Sequence, residues 1–490
     1  MVDPLRGITA TRRDLIAAAS TALLGPARFA SLGGTRPTEP PPSGREFFVS
    51  AQGDDGDDGL SASTPWRSTE KINAFRFSPG DRIRLRCGDT FHGPVKIQGS
   101  GRAPLSPLSL ESYGGDLHDL PKLSCYKIIM PDAWIHIGGG VWRADINNLA
   151  HIGGNRSTRG SAGANIGFLN IDGEMKTNRK PNSAALRDDW DFYSDGVTYL
   201  YVKSARNPAD RAASIMAAPG VVALGDTPAI RYRHLEIVGA GAHGVRWANR
   251  SNIDMRFCHL HQIGGAYLSG HLRYGNGVEA WVGCSDINVS DCLFGDIYDA
   301  ATTAQGYPVN QPGAGWNRIS FNDNFAYRCS QAFEIWARYG ARPGEGACPP
   351  GSGFHDVTAL RWRLFDIGRG PFGDLRTSRH EVAPFLIYRT ETPENDIRVS
   401  VSQMKNCGDR LIASPGVDRL PAQYRLEQSN LTLRGDQLLM GNRGQTARQA
   451  RDWLKANGFN TTTVVIDDAP RSSDPEAIKT QWIAHLSTAS

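Results

Sequence analysis

Residues 253–265, IDMRFCHLHQIGG, carry a pattern of apolar and small residues that recurs at six other places in the second half of the chain. The pattern is apolar-x-apolar-x-x-small-x-apolar-x-x-apolar, and its alternation has a period of two residues. That period is typical of β-strands, whereas a helical repeat needs a period of about 3.6 residues. Each unit can bury its apolar face only by stacking on its neighbours, so the repeats predict a β-solenoid. The segments begin at Ile230, Ile253, Ile287, Ile319, Val357, Ile397 and, more weakly, Tyr424.

The aligned repeats also predict which side chains point inward. One column is apolar or cysteine in successive repeats, and we expect it to form a ladder inside the solenoid. Cys258 and Cys292 share a second column, so four cysteines are predicted to be buried thiols rather than disulfide partners. The first column consists of Ile263, Ile297, Cys329, Ile367 and Cys407.

These columns resemble those of right-handed parallel β-helix proteins of the pectate-lyase-like superfamily. The segments FFVSAQGDDGDDGLSASTPWRSTEKIN (Phe47–Asn73) and SPGDRIRLRCGDTFHG (Ser78–Gly93) are similar to the N-terminal cap of many members. The resemblance covers roughly residues 45–470. It implies an all-β fold and a protein that cuts or rearranges carbohydrates, but the superfamily hosts several chemistries and also fibres.

Composition and charge narrow the classes of partner. The chain has 490 residues, a net charge of +4 and 21% charged residues, which gives no warrant for nucleic-acid binding. Arg12 and Arg13 precede an Ala-rich apolar run, Leu15–Leu24, which resembles a twin-arginine export signal. The run is too short to span a bilayer, so we expect export to the periplasm or beyond without membrane insertion. The sequence does not predict the oligomeric state.

The rest of the chain divides by pattern. Residues 190–202 alternate and turn at Ser194–Gly196, which predicts a hairpin. Thr446–Phe459 has helical spacing and predicts a cap helix over the last coil. The predicted segments are an export signal (1–30), a disordered linker (31–45), the N-terminal cap and first coils (46–144), a β-rich insertion (145–211), regular coils (212–445), and a cap helix with tail (446–490).

Metal and cofactor signals are weak. The acidic run Gly53–Asp58 offers carboxylate oxygens for Ca²⁺, although a solvated acidic turn is the stronger interpretation. The sequence has no Cys-x-x-Cys pair. We therefore predict no cofactor and no metal site, with Ca²⁺ as the one alternative.

A candidate catalytic row comes from the other strand of each coil. These strands read GVRWAN from Gly244, GVEAWVG from Gly277, AFEIWARYG from Ala332 and PFLIYRT from Pro384, and DAATTAQG from Asp299 fits between the second and third. Because side chains alternate along a strand, one outward face should carry a stack of polar residues in four successive coils. The stack consists of Arg246, Glu279, Thr303 and Glu334, bordered by Trp281, Gln305 and Trp336.

Paired carboxylates on this face favour a glycoside hydrolase. Stacked coils are about 4.8 Å apart, which places Glu279 and Glu334 roughly 9–10 Å apart at Cα. That separation is near the window of inverting glycosidases. Asp296 and Asp299, on the loop of the intervening coil, are further catalytic candidates that reach toward the gap, and a pairing of Asp299 with either glutamate would allow the retaining geometry. Exposed Trp281 and Trp336 would offer flat faces on which sugar rings stack.

Two alternatives remain open. A polysaccharide lyase or epimerase needs a base and cations that neutralise a uronate carboxylate, and several candidates precede or flank the row. A non-catalytic carbohydrate-binding solenoid is disfavoured by long loops on one side. Besides the row itself, the predicted substrate-binding residues are His271, Arg273, Tyr274 and Arg338, and His243 is a further candidate cation.

Overall fold

A computed structural model describes most of the chain from Gly44 onward. The predicted export signal (1–30), nearly all of the linker (31–45) and the predicted cap helix after Thr446 lie outside the described residues, so these predictions stay untested. Within the described part, no helix is long and apolar enough to cross a membrane. The described residues are 44–102, 105–146, 161–270, 272–306, 314–337, 349–375, 382–390, 394–408, 410–413, 424–426, 430–433, 438–440, 446, 463–467 and 471–489.

The chain winds into a right-handed parallel β-helix, as the repeats predicted. The first strands of the repeats pair in parallel and in the predicted register: Ile230 lies opposite Ile253, and Ile253 opposite Ile287. The column continues through Ile319, Val357 and Ile397. These strands form sheet 1, which consists of β1 (Glu46–Val49), β2 (Arg82–Arg86), β4 (Leu108–Tyr113), β14 (Ile230–Arg233), β17 (Ser251–Arg256), β22 (Ser285–Ser290), β25 (Gly315–Asn322), β28 (Gly353–Phe365), β30 (Glu394–Lys405) and β32 (Tyr424–Leu426).

Sheet 2 carries the predicted inward ladder. Ile263 lies opposite Ile297, and all five residues of the column are buried. Cys258 and Cys292 are also buried, and the cysteines of both columns are free thiols, as predicted. The long strands β28 and β30 continue from sheet 1 into sheet 2, which otherwise consists of β3 (Thr90–His92), β5 (Lys122–Ser124), β15 (Glu236–Val238), β18 (His259–Ile263), β23 (Leu293–Ile297), β26 (Phe325–Tyr327), β33 (Asn430–Leu433) and β35 (Thr463–Ile466).

Sheet 3 closes each coil and is parallel throughout. Its inward residues, among them Val245, Val278 and Phe333, join the core shared by all three sheets. The sheet consists of β16 (Val245–Ala248), β21 (Val278–Trp281), β24 (Ala300–Gly306), β27 (Gln331–Ala337), β29 (Phe385–Thr390), β31 (Arg410–Ala413) and β34 (Leu438–Met440).

Left-handed residues stack at the corners of the coils. At the end of sheet 2, for example, Gln262, Asp296 and Arg328 have φ of 53°, 50° and 50° in three successive coils. Only a few per cent of non-glycine residues adopt positive φ, and Asn and Asp are enriched among them. The same backbone bend therefore recurs at the same place in each coil, which keeps the strands between the corners in register.

An antiparallel insertion interrupts the second coil. Its strands run from Lys127 to Pro219, a wider range than the predicted 145–211, and form two four-stranded sheets with a separate apolar core. The chain re-enters the solenoid at Leu224, which bridges Val245 of sheet 3. The insertion contains β6 (Lys127–Ile128), β7 (Trp134–Gly138), β8 (Val141–Asp145), β9 (Ile166–Ile171), β10 (Glu174–Lys176), β11 (Phe192–Ser194), β12 (Tyr199–Lys203) and β13 (Ile215–Pro219).

The predicted hairpin is present in the insertion, where β11 and β12 pair antiparallel. A second hairpin, formed by β19 (Ala266–Ser269) and β20 (Leu272–Tyr274), projects from the solenoid toward the insertion and contacts β9. Gly167 on β9 is required at this contact, because a Cβ there would lie 2.3 Å from the Gly264 carbonyl oxygen.

Three helices accompany the strands among the described residues: α1 (Thr69–Ala74) in the N-terminal cap, α2 (Ser161–Ala164) and α3 (Pro475–Ala489). Helix α3 packs along the outside of sheet 2, where its apolar residues contact side chains of successive coils. From the sequence, this segment was predicted only as part of the tail that follows the cap helix. Its packing residues are Ile478, Trp482, Ile483 and Leu486.

Candidate functional site: a buried carboxylate row on sheet 3

The predicted row is present on sheet 3 in the predicted order. Arg246 lies opposite Glu279, Glu279 opposite Thr303, and Thr303 opposite Glu334. One strand position further on, Trp281 lies opposite Gln305 and Gln305 opposite Trp336. The two glutamates are therefore separated by one intervening coil, and the row continues to the buried Leu386.

The two glutamates and Thr303 are buried, however, and of the row only Arg246 is partly exposed. The prediction of exposed tryptophan faces is wrong for this structure. Trp281 and Trp336 are 5% and 1% exposed, and their ring centroids lie 6.2 Å apart. The Arg246 guanidinium lies 5.2 Å from the Trp281 ring centroid. Strand alternation predicts that a side chain points out of the solenoid, but it does not predict whether other parts of the chain cover it.

The Glu279 carboxylate is the centre of the cluster. The Arg246 Nε lies 2.7 Å from Glu279 Oε2, and the amides of Asn276 and Gln305 donate to Oε1. The His243 Nε2 lies 3.5 Å from Oε2. The backbone N–H of Asn276 donates to His243 Nδ1, so Nε2 carries the proton of the neutral ring and faces the carboxylate. Groups of this kind stabilise a carboxylate that is removed from water.

The groups around His243 extend the cluster. Burial lowers the pKa of His243, while the nearby Glu279 and Asp299 carboxylates oppose this shift and Arg246 adds to it. The Tyr274 ring contacts His243 edge-on, and burial raises the pKa of the Tyr274 phenol to about 12. Asp299 is 6% exposed and follows directly after sheet 2 in the coil between the two glutamates. Glu279, Asp299 and Tyr274, each a candidate from the sequence, are therefore all neighbours of His243.

Asp296 has a different role from the catalytic one predicted. It occupies a left-handed corner position, and its carboxylate pairs with Arg328 of the next coil at 2.6 Å. Burial raises the pKa of Asp296 in spite of the Arg328 charge. The ion pair and the corner conformation make Asp296 part of the coil framework.

Arg273 also differs from its predicted substrate-binding role. Its three guanidinium nitrogens donate to backbone carbonyls of Gly265, Thr177 and Gly167, at 2.8, 3.1 and 2.6 Å. The side chain fastens the insertion to the solenoid, so a uronate cannot occupy the same donors. The other two predicted binding residues, His271 and Arg338, lie outside the described part of the chain.

The carboxylates of the acidic run Gly53–Asp58 accept hydrogen bonds from the protein. Asp55 accepts bonds from the N–H groups of Arg67 and Ser68, and Asp58 accepts bonds from the Leu60 N–H and the Thr64 hydroxyl. These contacts fix the turn and the start of helix α1. They match the interpretation of an acidic turn rather than a Ca²⁺ loop.

A second polar cluster escaped the sequence prediction. His259-Leu260-His261 on β18 is a His-x-His pattern, and Glu236 lies opposite His259 in the preceding coil. His261 Nε2 lies 3.0 Å from Glu236 Oε1, and Lys122 Nζ lies 3.1 Å from the same oxygen. Burial alone would raise the pKa of Glu236, but His261, His259 and Lys122 hold it well below its usual range. The His-x-His pattern is visible in the sequence, and the repeat alignment places Glu236 opposite His259.

Comparisons with known proteins give the following similarities. No family model matches the chain. Over 240 residues, 48% of its length, the chain is 23% identical to a lacto-N-biosidase of Bifidobacterium longum subsp. longum, and the match spans 13% of that protein. Among solved structures, it is similar to XylC in complex with xylose (TM-score 0.42, 10% identity, 82% of this chain and 76% of that chain). It is also similar to a GH136 lacto-N-biosidase from Eubacterium ramulus (TM-score 0.35, 11% identity, 86% of this chain and 68% of that chain).

Proposed function

We propose that the protein is a carbohydrate-degrading enzyme, a glycoside hydrolase whose reacting groups are Glu279 and Glu334. The observation that carries the proposal is the burial of two glutamates in one row of sheet 3, each 1% exposed. Buried carboxyl groups are costly in a core, and clusters of such groups are typical of functional sites. The similarity to a lacto-N-biosidase supports a glycan as the substrate class.

The surroundings of the two glutamates suggest their roles. Arg246, Asn276 and Gln305 converge on Glu279, and this arrangement suits a carboxylate that acts as the base or nucleophile. Glu334, whose neighbours in the row are Thr303 and Leu386, would then protonate the leaving oxygen. Two coil spacings separate their Cα atoms by roughly 9–10 Å, which favours a water between base and sugar and inversion at the anomeric carbon.

Hydrolysis is favoured over elimination by the contacts of Arg273. A lyase needs free cations that neutralise a uronate carboxylate, and Arg273 was the principal candidate. Its guanidinium instead holds three backbone carbonyls, and Arg246 is paired with Glu279. Among the described residues, the two arginines proposed as uronate-binding cations, Arg246 and Arg273, are thus already engaged with the protein.

The proposal is tested by product analysis on a panel of glycans, beginning with lacto-N-biosidase activity. We expect new reducing ends without the absorbance of an unsaturated uronate. Glu279→Gln and Glu334→Gln should each lower turnover by at least about 10²-fold, the usual effect of removing a general acid or base. Glu174→Gln, on an exposed residue of the insertion, is the matched control and should retain full activity. Unsaturated products, or full activity in both row variants, would contradict the proposal.

The anomeric form of the first product distinguishes the inverting mechanism from the retaining one. Inversion, followed by NMR during the first minutes of reaction, is expected from the two-coil separation. Retention would mean that a nearer carboxylate takes part, and Asp299→Asn would then abolish turnover.

We further propose that residues 1–30 direct export, because the Arg12-Arg13 pair precedes a short apolar run.

A further inference from the structure

We propose that Glu236, His259 and His261 form a binding site for one divalent transition-metal ion of the Zn²⁺ class, on sheet 2 beneath helix α3. One potential ligand atom from each of the three residues lies within 4.8 Å of the other two. Among the described residues this is the one group of three or more such side chains with that geometry. It lies on a different sheet from the carboxylate row and does not depend on the proposed function.

The fold itself brings the three ligands together. Alternation along β18 places His259 and His261 on the same outward face, and their rings stack with centroids 4.2 Å apart. Parallel pairing then places Glu236 of the preceding coil directly beside His259. Zn²⁺ binds imidazole nitrogens and carboxylate oxygens at about 2.0–2.2 Å, so tetrahedral ligands lie roughly 3.3–3.5 Å apart. Glu236 Oε1 and His261 Nε2 are already 3.0 Å apart, and a His259 ring nitrogen lies within 4.8 Å of the ligand atoms of both residues.

An unsatisfied nitrogen points to a missing ligand. His259 is 4% exposed, and its Nδ1 has no hydrogen-bond partner within the described part of the chain. The other ring nitrogen, Nε2, lies 3.4 Å from the Tyr327 hydroxyl. Buried polar atoms are nearly always paired, so an orphaned imidazole nitrogen beside a second histidine and a carboxylate calls for an explanation. A metal ion would supply the partner, and the Tyr327 hydroxyl would orient the ring in the manner of an outer-shell contact.

The protein supplies a competing cation at the same place. Lys122 Nζ lies 3.1 Å from Glu236 Oε1, and Lys479 of helix α3 also acts on His259 electrostatically. A metal ion must displace the Lys122 ammonium from the carboxylate. Removal of Lys122 should therefore strengthen metal binding, an outcome that a purely structural Glu–His–Lys network would not produce.

Metal binding would also tie neighbouring coils together under the helix. Glu236 and the two histidines belong to adjacent coils, and the Trp482 ring of α3 lies 6.2 Å from the His259 ring. An ion that binds only the folded state raises its stability by mass action. We therefore expect a higher melting temperature with Zn²⁺ and a return to the original value with a chelator.

The test uses the full chain without a histidine tag, first stripped with a chelator. Calorimetric titration with Zn²⁺ should give one site, and Co²⁺ should give the visible absorption of a histidine-ligated ion. His261→Ala and Glu236→Gln should weaken Zn²⁺ binding at least about tenfold, the scale found when groups at metal sites are lost. Lys122→Met should tighten it. His136→Ala, which removes an exposed histidine of the insertion, is the control and should not change binding.

Each result decides the proposal. Absence of stoichiometric Zn²⁺ binding would overturn it, and so would binding that persists unchanged in both His261→Ala and Glu236→Gln. His259→Ala is less informative because its buried ring also fills space under α3, so the two partly exposed ligands carry the test. Since binding is measured without substrate, failure here leaves the proposed hydrolase activity separately testable.

Discussion

Arg273→Ala should loosen the insertion from the solenoid. The wild-type guanidinium donates to carbonyls of Gly167 and Thr177 in the insertion and of Gly265 in the solenoid. Alanine removes all three bonds at once and leaves the carbonyls without their charged donor. The side chain also lies over the Tyr298 ring, with its central carbon 5.5 Å from the ring centroid.

The expected loss follows from these contacts. A hydrogen bond to a charged group contributes about 1.5–3 kcal/mol to stability. Because Arg273 is only half-buried, the low end of about 1.5 kcal/mol applies to each bond, and three bonds give about 4.5 kcal/mol. That is a large share of the roughly 5–15 kcal/mol that stabilises an ordinary domain. Lysine offers a single ammonium group in place of the three guanidinium nitrogens. Arg273→Lys should therefore keep about one of the three bonds and recover about one third of the lost stability.

Urea unfolding combined with limited proteolysis measures the effect. The variant should unfold at lower urea, and cleavage should concentrate in the insertion. Arg211→Ala is the matched control, because its partner Asp189 is half exposed and a surface pair contributes at most about 1 kcal/mol. A stability loss below about 1 kcal/mol in Arg273→Ala would refute the conclusion that Arg273 fastens the insertion to the solenoid. A loss of activity in this variant would follow from the loosened insertion and would not by itself indicate elimination chemistry.

Three further predictions follow. Gly167→Ala places a Cβ 2.3 Å from the Gly264 carbonyl oxygen and should cost about 1–3 kcal/mol by thermal unfolding. Gly56→Ala, whose Cβ would lie 3.3 Å from the end of the exposed Asp54 side chain, should cost little, and equal effects would contradict the close approach at Gly167. Burial depresses the pKa of His243 and His259, so below pH ~6.5 the unfolded chain takes up protons that the folded chain does not. The melting temperature, measured in chelator, should therefore fall between pH 7.5 and 5.5, and a flat profile would be inconsistent with neutral buried rings. Replacing Arg12 and Arg13 together by Lys should hold the precursor in the cytoplasm, and unchanged export in cell fractionation would count against the signal.

The register of the solenoid was predictable because two local rules determine it. Alternation fixed which side chains point inward, and the repeat alignment fixed which residues lie opposite one another, from Ile253 and Ile287 to Glu279, Thr303 and Glu334. Both rules use information within one coil and its neighbours. The order of the candidate row therefore came from sequence alone.

What covers a face, and which partner a charged group finds, depends on contacts between distant parts of the chain. Arg273 bonds to residues about a hundred positions earlier, and helix α3 packs against coils nearly two hundred positions earlier. The burial of Trp281 is of the same kind. No local pattern contains this information.

The stacking of one residue per coil in the sheet 3 row has an evolutionary consequence. Deletion or duplication of one complete coil preserves the pairing rules on both sides, because the strands above and below present the same alternation. Loss of the coil that contains Thr303 would place Glu334 directly beside Glu279 and would shorten their separation from roughly 9–10 Å to about 5 Å. A single in-frame genetic event would thus exchange the proposed inverting geometry for the retaining one, with no substitution at either glutamate.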